Sequence, residues 1–268
     1  MSKITLQNVS MIYQDRDANY TALQGVNTSI REGEFISIVG PSGCGKSTLL
    51  SLFAGLNFPS DGCILLDGEE IKGTGTDRGV VFQHYSLFPW MTARKNIIFG
   101  LKQVNREEKK KQIEEKADHY LELVGLSNFK NKYPAQLSGG MQQRVAIARA
   151  LAMNPGILLM DEPFGAVDAK TRVVLQELLL KLWEDGSQRK TVVFVTHDID
   201  EAILLSDRII VMSAGPGTVK KEIHVDFERP RDRASLVRSK AYTDLRNRLV
   251  SLFYDDLIEK IGGDEVVL

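Results

Sequence analysis

The segment from Gly40 to Thr48 carries the strongest chemical signal in the sequence. It reads Gly40, Pro41, Ser42, Gly43, Cys44, Gly45, Lys46, Ser47 and Thr48, which matches the pattern G-x-x-x-x-G-K-[ST]. The glycines let successive backbone N–H groups converge on an anion, and a helix that follows adds its positive N-terminal end. Lys46 then suits the β- and γ-phosphates, and the Ser47 hydroxyl suits Mg²⁺, which prefers oxygen ligands. The segment predicts binding of a nucleoside triphosphate, and alone it leaves kinases, GTPases and ATPases all possible.

Two carboxylates stand at the end of an apolar run further along the chain. Residues 157–160 are apolar and of strand length, and Asp161 and Glu162 follow them directly. Beside a phosphate-binding loop, a carboxylate at a strand end can hold Mg²⁺, directly or through water. We assign that role to Asp161. Glu162, past the strand end, could orient or deprotonate an attacking water.

His197 occupies the corresponding place after another apolar run, residues 191–195. An imidazole there could hydrogen-bond a γ-phosphate. A lone histidine is more often structural, so this assignment depends on the phosphate-binding loop.

The octet from Leu137 to Arg144 predicts a second helix terminus that is open to an anion. It reads LSGGMQQR, in which Ser138 suits the N-cap while Gly139 and Gly140 leave the helix end sterically open. One nucleotide already has its cradle at residues 40–48. A second phosphate-binding helix end is therefore easiest to use from a partner subunit, which predicts two copies arranged head-to-tail with the nucleotide between them.

These groups need a scaffold that brings strand ends together. Apolar runs of strand length that lead into loops suit the buried strands of a mainly parallel sheet, whereas the first strand alternates apolar and polar residues. The predicted strands are 4–9, 34–39, 64–67, 79–83, 157–160, 191–195 and 208–212. The predicted helices are 47–56, 106–118, 145–153 and an amphipathic tail at 239–261. Residues 15–19 are predicted as a turn.

Composition restricts the class of protein. The 268 residues carry 34 Lys and Arg against 35 Asp and Glu, a net charge of −1, which argues against a general nucleic-acid binder. The sequence has no apolar run near the roughly 18 residues that span a bilayer, and residues 1–10 lack a signal-peptide core. Cys44 and Cys63 do not suggest a disulfide framework, which fits a reducing cytosol.

Taken together and in this order, the motifs resemble those of the ATP-binding subunits of ABC transporters, from residue 3 to about residue 260. They are GPSGCGKST, Gln83, LSGGMQQR, ILLMDE, Val167-Asp168 and His197. The resemblance implies an α/β fold with a P-loop NTPase (RecA-like) core at residues 1–83 and 156–225 and an antiparallel β edge region. It also implies a helical subdomain inserted at about residues 84–155 and a helical tail at about 239–261, all within one ATPase domain, residues 1–268.

The same resemblance implies roles for individual residues, with ATP and Mg²⁺ as substrate and cofactor. Gln83 is similar to the family's lid glutamine, which contacts Mg²⁺ or water, and Asp168 lies in the loop that crosses the dimer interface. Tyr13 stands where the family places an aromatic ring against adenine, and Tyr20 is the alternative. The implied catalytic residues are Glu162, His197 and Gln83, and the implied Mg²⁺ ligands are Ser47, Gln83 and Asp161. The implied ATP contacts are residues 40–48, Tyr13, Ser138, Gly139, Gly140, Asp161 and Asp168.

Three further stretches resemble the importer group that serves nitrate, aliphatic sulfonates and taurine. They are residues 87–92, residues 164–172, and residues 213–218 with 229–232. This implies a peripheral protein on the cytoplasmic face of the inner membrane, which powers uptake of a small anionic solute. Its implied partners are a second copy, permease subunits and, indirectly, a solute-binding protein, with no nucleic acid. A permease helix could dock at residues 88–90, although internal packing of Trp90 is the alternative.

Other functions fit less well. DNA-repair ATPases of the same family carry long coiled-coil arms, and the stretch between Gln83 and Ser138 is too short for one. A small-molecule kinase has no role for LSGGMQQR, and ribosome-acting relatives usually join two ATPase units where this chain has one cradle. An exporter subunit stays open, because the ATPase motifs do not set the direction of transport.

Overall fold

The computed structural model describes residues 2–14, 18–84, 86–105, 107–184 and 189–263. The chain divides into two compact units: the first is residues 1–73 with 193–268, and the second is residues 74–192. Most of the turn predicted at residues 15–19 lies outside the described residues, as does residue 106, the first of a predicted helix.

Strands and helices alternate between residues 157 and 212, which is the order typical of an α/β fold. The strands are β1 (Ser2–Gln14), β2 (Asn19–Arg31), β3 (Phe35–Val39), β4 (Asp61–Leu66), β5 (Glu69–Glu70), β6 (Arg78–Val81), β7 (Ile157–Asp161), β8 (Thr191–Val195), β9 (Arg208–Met212) and β10 (Val219–His224). The α-helices are α1 (Lys46–Phe53), α2 (Ala93–Val104), α3 (Lys110–Leu123), α4 (Gly139–Ala152), α5 (Ala169–Glu184), α6 (Ile199–Leu205), α7 (Arg233–Leu236) and α8 (Lys240–Gly263).

The first unit holds two groups of strands. An antiparallel sheet has the order β2-β1-β4-β5, and a second group runs β10-β9-β3-β8. In that group β3 and β9 are parallel, with Ile38 opposite Ile210, and every residue of both strands is buried. Burial on both faces explains why these strands are uninterrupted apolar runs. The predicted α/β class, with parallel strands and an antiparallel edge region, is confirmed.

The alternating pattern of β1 is interrupted at Asn8. Ile4, Leu6 and Val9 are all buried, so the buried face shifts by one residue between Leu6 and Val9. Asn8 takes a positive φ of 50°, and the register with β2 shifts at the same place. A β-bulge therefore restores Val9 to the core.

Helix α1 is shorter than the predicted helix 47–56, because Gly55 ends it. Gly55 has a φ of +69°, and its N–H donates to Leu52 O at 3.0 Å while Leu56 N–H donates to Ser51 O at 3.0 Å. This bond pair is a Schellman motif, which stops a helix at a left-handed glycine.

The second unit combines the parallel pair β6 and β7 with the mutually packed helices α2, α3 and α4. Helix α3 starts later and ends later than the predicted 106–118. The later end follows from its buried stripe, Ile113, Ala117 and Leu121, which extends past Asp118. Helix α4 begins at Gly139 rather than near Val145, because Ser138 caps it. The predicted range covered only the Ala-rich part of this helix, and the N-cap predicted at Ser138 lies at its actual start.

The tail helix α8 packs on α6 in the first unit, where Tyr242 and Leu249 are buried with Ala202 and Ile203. Among the described residues, no helix combines the length and the apolar character that crossing a bilayer requires. Cys44 and Cys63 are both free thiols.

Candidate functional site

The phosphate cradle is built by the turn between β3 and α1. Gly45, directly before α1, has a φ of +86°, and a Cβ there would lie 2.6 Å from Leu23 Cδ2 and 2.8 Å from Ala22 O. Gly43 also has a positive φ, +77°, and its Cβ would project into open space among the described residues. Glycine is thus required for the turn at Gly45. Because glycine has no side chain to cap α1, the first N–H groups of that helix can bind an anion.

Lys46 bends over this loop. Its ammonium group donates to Gly40 O at 2.8 Å and to Pro41 O at 2.9 Å, and the side chain is buried. The neighbouring Cys44 is also buried, and burial raises the pKa of its thiol, an effect that the Lys46 charge partly opposes. Ser47 is exposed in the first turn of α1, where its hydroxyl is available as an oxygen ligand.

Two tyrosines flank the cradle. Tyr13 and Tyr20 face each other across β1 and β2. The Tyr13 hydroxyl lies 3.4 Å from Thr48 Oγ1, and the Tyr20 hydroxyl donates to Gly43 O at 3.1 Å. Both rings are exposed, by 38% for Tyr13 and 53% for Tyr20. Either ring can therefore offer a face to an adenine base.

His197 is exposed in the short connection between β8 and α6. On one side, Thr196 N–H donates to Ile38 O of β3 at 3.2 Å. On the other side, the Asp198 carboxylate caps α6 and accepts from the N–H groups of Asp200 at 2.9 Å and Glu201 at 3.2 Å. The backbone of His197 is therefore held from both directions.

Sequence reasoning missed this supporting network. Glu201 is buried, and its carboxylate accepts from the Thr196 hydroxyl at 2.8 Å. The signal was present, because Asp198-x-x-Glu201 has the spacing of a helix-capping box.

In the second unit, Gln83 and Glu162 meet beyond the ends of two parallel strands. Val81 of β6 lies opposite Met160 of β7, and Gln83 and Glu162 each come two residues after this pair. Gln83 Nε2 donates to Glu162 Oε2 at 3.2 Å. The predicted strand 79–83 is corrected to Arg78–Val81, since pairing with β7 stops at Val81 and leaves Gln83 in the following loop.

The two carboxylates after β7 have different surroundings. Asp161 is the last residue of β7 and is buried, whereas Glu162 is half-buried and has a positive φ of 43°. That conformation is uncommon for a residue with a side chain, and such strain is typical of functional sites. The turn aims the Glu162 side chain at Gln83.

The LSGG segment forms a capped helix end, as predicted. Ser138 is exposed, and its Oγ accepts from Met141 N–H at 3.3 Å. A Cβ on Gly140 would come within 3.0 Å of Ala166 O, so glycine allows the loop before α5 to pass close to α4. In that loop Asp168 accepts from Thr171 N–H at 3.0 Å, and the hydrogen bonds from Thr171 lower the pKa of the exposed Asp168 carboxyl.

The predicted Mg²⁺ ligands are divided between the units. Ser47 belongs to the first unit, and Gln83 and Asp161 belong to the second. A hydroxyl, an amide and a carboxylate supply the hard oxygen atoms that Mg²⁺ prefers, and this ion often uses few protein ligands beside phosphate and water. The donor chemistry fits, although the described part of the chain has no group of three His, Cys, Asp or Glu residues able to hold a metal.

Comparison with known proteins gives consistent matches. A sequence model of the family described as ABC transporter matches residues 23–165. The chain is 48% identical over 236 residues to the nitrate import ATP-binding protein NrtD of Synechococcus elongatus, covering 88% of this chain and 85% of that protein. It is also 48% identical over 253 residues to the bicarbonate transport ATP-binding protein CmpD of the same species, covering 94% of this chain and 90% of that protein.

A solved structure of an ATP-binding cassette is also similar to this chain. The dimeric ATP-binding cassette MJ0796, in a post-hydrolysis state bound to ADP and Pi, matches with a TM-score of 0.76 at 40% identity. The match covers 84% of this chain and 100% of that chain.

Proposed function

The chain belongs to the ABC transporter family, and on that premise we propose that it powers uptake of a small inorganic anion through a membrane permease. It is an ATP-hydrolysing subunit with a P-loop NTPase core. The proposal is supported by the two relatives above, one named for nitrate import and one for bicarbonate transport. Aliphatic sulfonates and taurine stay predictions from the sequence, and export stays the alternative direction.

The hydrogen bond between Gln83 and Glu162 carries the hydrolytic part of the proposal. The bond orients the Glu162 carboxylate beyond β7, where it takes a proton from the attacking water. Lys46 and the N–H groups of the cradle bind the phosphates, and His197 donates a hydrogen bond to the γ-phosphate. Ser47, Gln83 and Asp161 are the residues that would hold Mg²⁺, and the bound ion would supply positive charge against the charge that develops on the phosphates.

We propose a head-to-tail dimer of two copies. The open N-terminus of α4, with Ser138, Gly139 and Gly140, binds the phosphates of ATP held in the partner's cradle. Asp168 lies in the loop beside Gly140 and contacts the same interface. The dimeric state of the MJ0796 cassette supports a dimer of two copies. We also propose that residues 1–268 act as one ATPase domain, with about residues 84–155 as its helical subdomain.

The permease is proposed to dock at an aromatic cluster on the second unit. Trp90 is 69% exposed, and its ring centroid lies 5.6 Å from that of Phe88, which in turn lies 4.6 Å from Phe99 of α2. The high exposure of Trp90 favours docking over internal packing. An apolar helix laid on this cluster would bury it, and the subunit would then sit peripherally on the cytoplasmic face of the membrane.

Reconstitution tests the proposal. The chain is co-expressed with permease genes that neighbour its own, and the complex is placed in vesicles loaded with labelled nitrate or bicarbonate, with ATP and Mg²⁺ on the cassette side. An importer carries the anion toward the cassette side, and the Lys46→Ala complex does not. In vesicles prepared without the anion, accumulation of labelled anion supplied on the cassette side would identify an exporter. ATP hydrolysis that neither anion stimulates would contradict the choice of solute.

A further inference from the structure

Helix α6 begins at Ile199, two residues after His197, and the tail helix α8 contacts its first turn. The Asp200 carboxylate accepts a hydrogen bond from the Tyr242 hydroxyl at 2.7 Å and another from Arg246 Nε at 2.9 Å, both on the same oxygen, Oδ1. Two donors from consecutive turns of α8 therefore converge on one acidic residue beside His197.

The other end of α6 is held as well. Arg231 Nη1 donates to the carbonyl oxygens of Ile203 at 3.1 Å, Leu204 at 3.2 Å and Ser206 at 2.7 Å. A guanidinium at this position satisfies carbonyls that a helix C-terminus leaves unpaired and complements the helix dipole. Residues that follow β10 thus bind both ends of α6.

Apolar packing also holds this helix. Ala202 and Ile203 of α6 are fully buried in one apolar cluster with Tyr242 and Leu249 of α8. Helix α6 is short, Ile199–Leu205, so a shift of its first turn moves its cap, Asp198, and with it the backbone of His197.

We propose that Tyr242, assisted by Arg246, is a positioning residue that fixes the His197 imidazole through Asp200 and the first turn of α6. The inference rests on the proposed role of His197 at the γ-phosphate. The two donors are unequal: Tyr242 is 3% exposed, whereas the side chains of Arg246 and Asp200 are about half exposed in their ion pair. Exposed pairs contribute little, so the buried tyrosine carries most of the effect.

The state of the Tyr242 hydroxyl suits this role. Burial raises its pKa above the usual value, and the bond to Asp200 raises it further, so the hydroxyl stays a donor at neutral pH. Phenylalanine at this position keeps the ring in the apolar cluster and removes only that donor.

The first measurement is steady-state ATP hydrolysis by the full chain. Tyr242→Phe should lower kcat by about tenfold, within the roughly 100-fold that a 1 Å misplacement can cost. KM for ATP should stay unchanged, because the cradle at residues 40–48 is untouched. Arg246→Gln should lower kcat less, and Arg246→Lys should recover part of that loss. Arg248→Gln, an exposed arginine of the same helix, is the control and should leave kcat unchanged.

The second measurement follows the imidazole itself. The chain has four histidines, and NMR of their ring protons, with His197 assigned from a His197→Gln variant, reports each one separately. Tyr242→Phe should shift the His197 signal and leave those of His84 and His119 in place. An unshifted His197 signal overturns the inference, whether or not kcat falls. A shifted signal with unchanged kcat upholds the positioning and instead refutes the proposed catalytic role of His197.

Discussion

Replacing Ser138 with arginine should abolish ATP hydrolysis and leave nucleotide binding to a single subunit nearly intact. Ser138 is exposed at the start of α4, on the surface that we propose meets ATP held by the second copy. The arginine adds bulk there and would keep the two subunits apart. The cradle at residues 40–48 keeps its own sequence, so each subunit should still bind nucleotide.

Ser138→Arg also lowers the free energy of unfolding, by an amount that follows from the N-cap bond it removes. Ser138 Oγ accepts one cap bond, from Met141 N–H at 3.3 Å. Losing an N-cap costs about 1 kcal/mol, against a typical unfolding free energy of about 5–15 kcal/mol. Thr92 makes the same bond at the start of α2, from Lys95 N–H at 3.3 Å. Thr92→Arg therefore loses an equivalent cap, gains the same charge and controls for stability.

Phosphate release at saturating ATP and Mg²⁺ gives the readout. Ser138→Arg should lose at least about 100-fold in turnover, the scale on which misplaced catalytic groups act, while Thr92→Arg stays near wild type. Partial turnover in a mixture of Ser138→Arg with Lys46→Ala chains, at most about a quarter of wild type, would support pairing between subunits, because each mixed dimer then holds one whole site. This recovery requires that the doubly altered site of the mixed dimer still closes. Full activity of Ser138→Arg alone, or an equal loss in Thr92→Arg, would refute the role of this helix terminus.

Three further substitutions test other parts of the site. Glu162→Gln should lower turnover by about 10²- to 10⁴-fold, because the base is lost, and ATP should then trap a dimer that size-exclusion chromatography detects. Glu177→Gln, the same change on the exposed side of α5, is the control. A Glu162→Gln variant that stays monomeric at high protein concentration would count against Glu162 as the base. Gly45→Ala should lower both the melting temperature and ATP affinity, since its φ of +86° and a 2.6 Å contact leave no room for a Cβ; unchanged ATP affinity would mean that the turn can rearrange. Tyr13→Ala should weaken ATP binding by the about 1–3 kcal/mol typical of base stacking, and Tyr20→Ala should not; calorimetry with the reverse result would make Tyr20 the adenine contact.

The buried strands were easier to predict from the sequence than the places where the helices end. Strands buried on both faces, such as β3 and β9, can be predicted from sequence because each is a continuous apolar run that stops where the chain turns. Ends that depend on one contact are harder to read. Helix α1 stops where Gly55 approaches the Gly73 carbonyl so closely that a Cβ would lie 2.1 Å from its oxygen, and this partner is remote in sequence.

Some features of the site could not be deduced from local pattern. The hydrogen bond between Gln83 and Glu162 requires the parallel register of β6 with β7, which joins residues far apart in the chain. The positive φ of Glu162 could not be predicted from its residue type, because glutamate rarely adopts this conformation. The contact of Tyr242 with Asp200 also went unnoticed, because helical spacing in the tail predicts an apolar face and is silent on what that face covers.

The functional residues are held in place by different elements, so substitutions in different parts of the chain should affect activity in different ways. The cradle follows β3, and Asp161 ends β7, two strands whose residues are all buried, so their positions are fixed by core packing. His197 also follows a buried strand, β8, yet its other side depends on α6 and so on the tail. Substitutions in the tail should therefore change the rate of hydrolysis without changing ATP affinity, whereas substitutions in the core strands should change stability first.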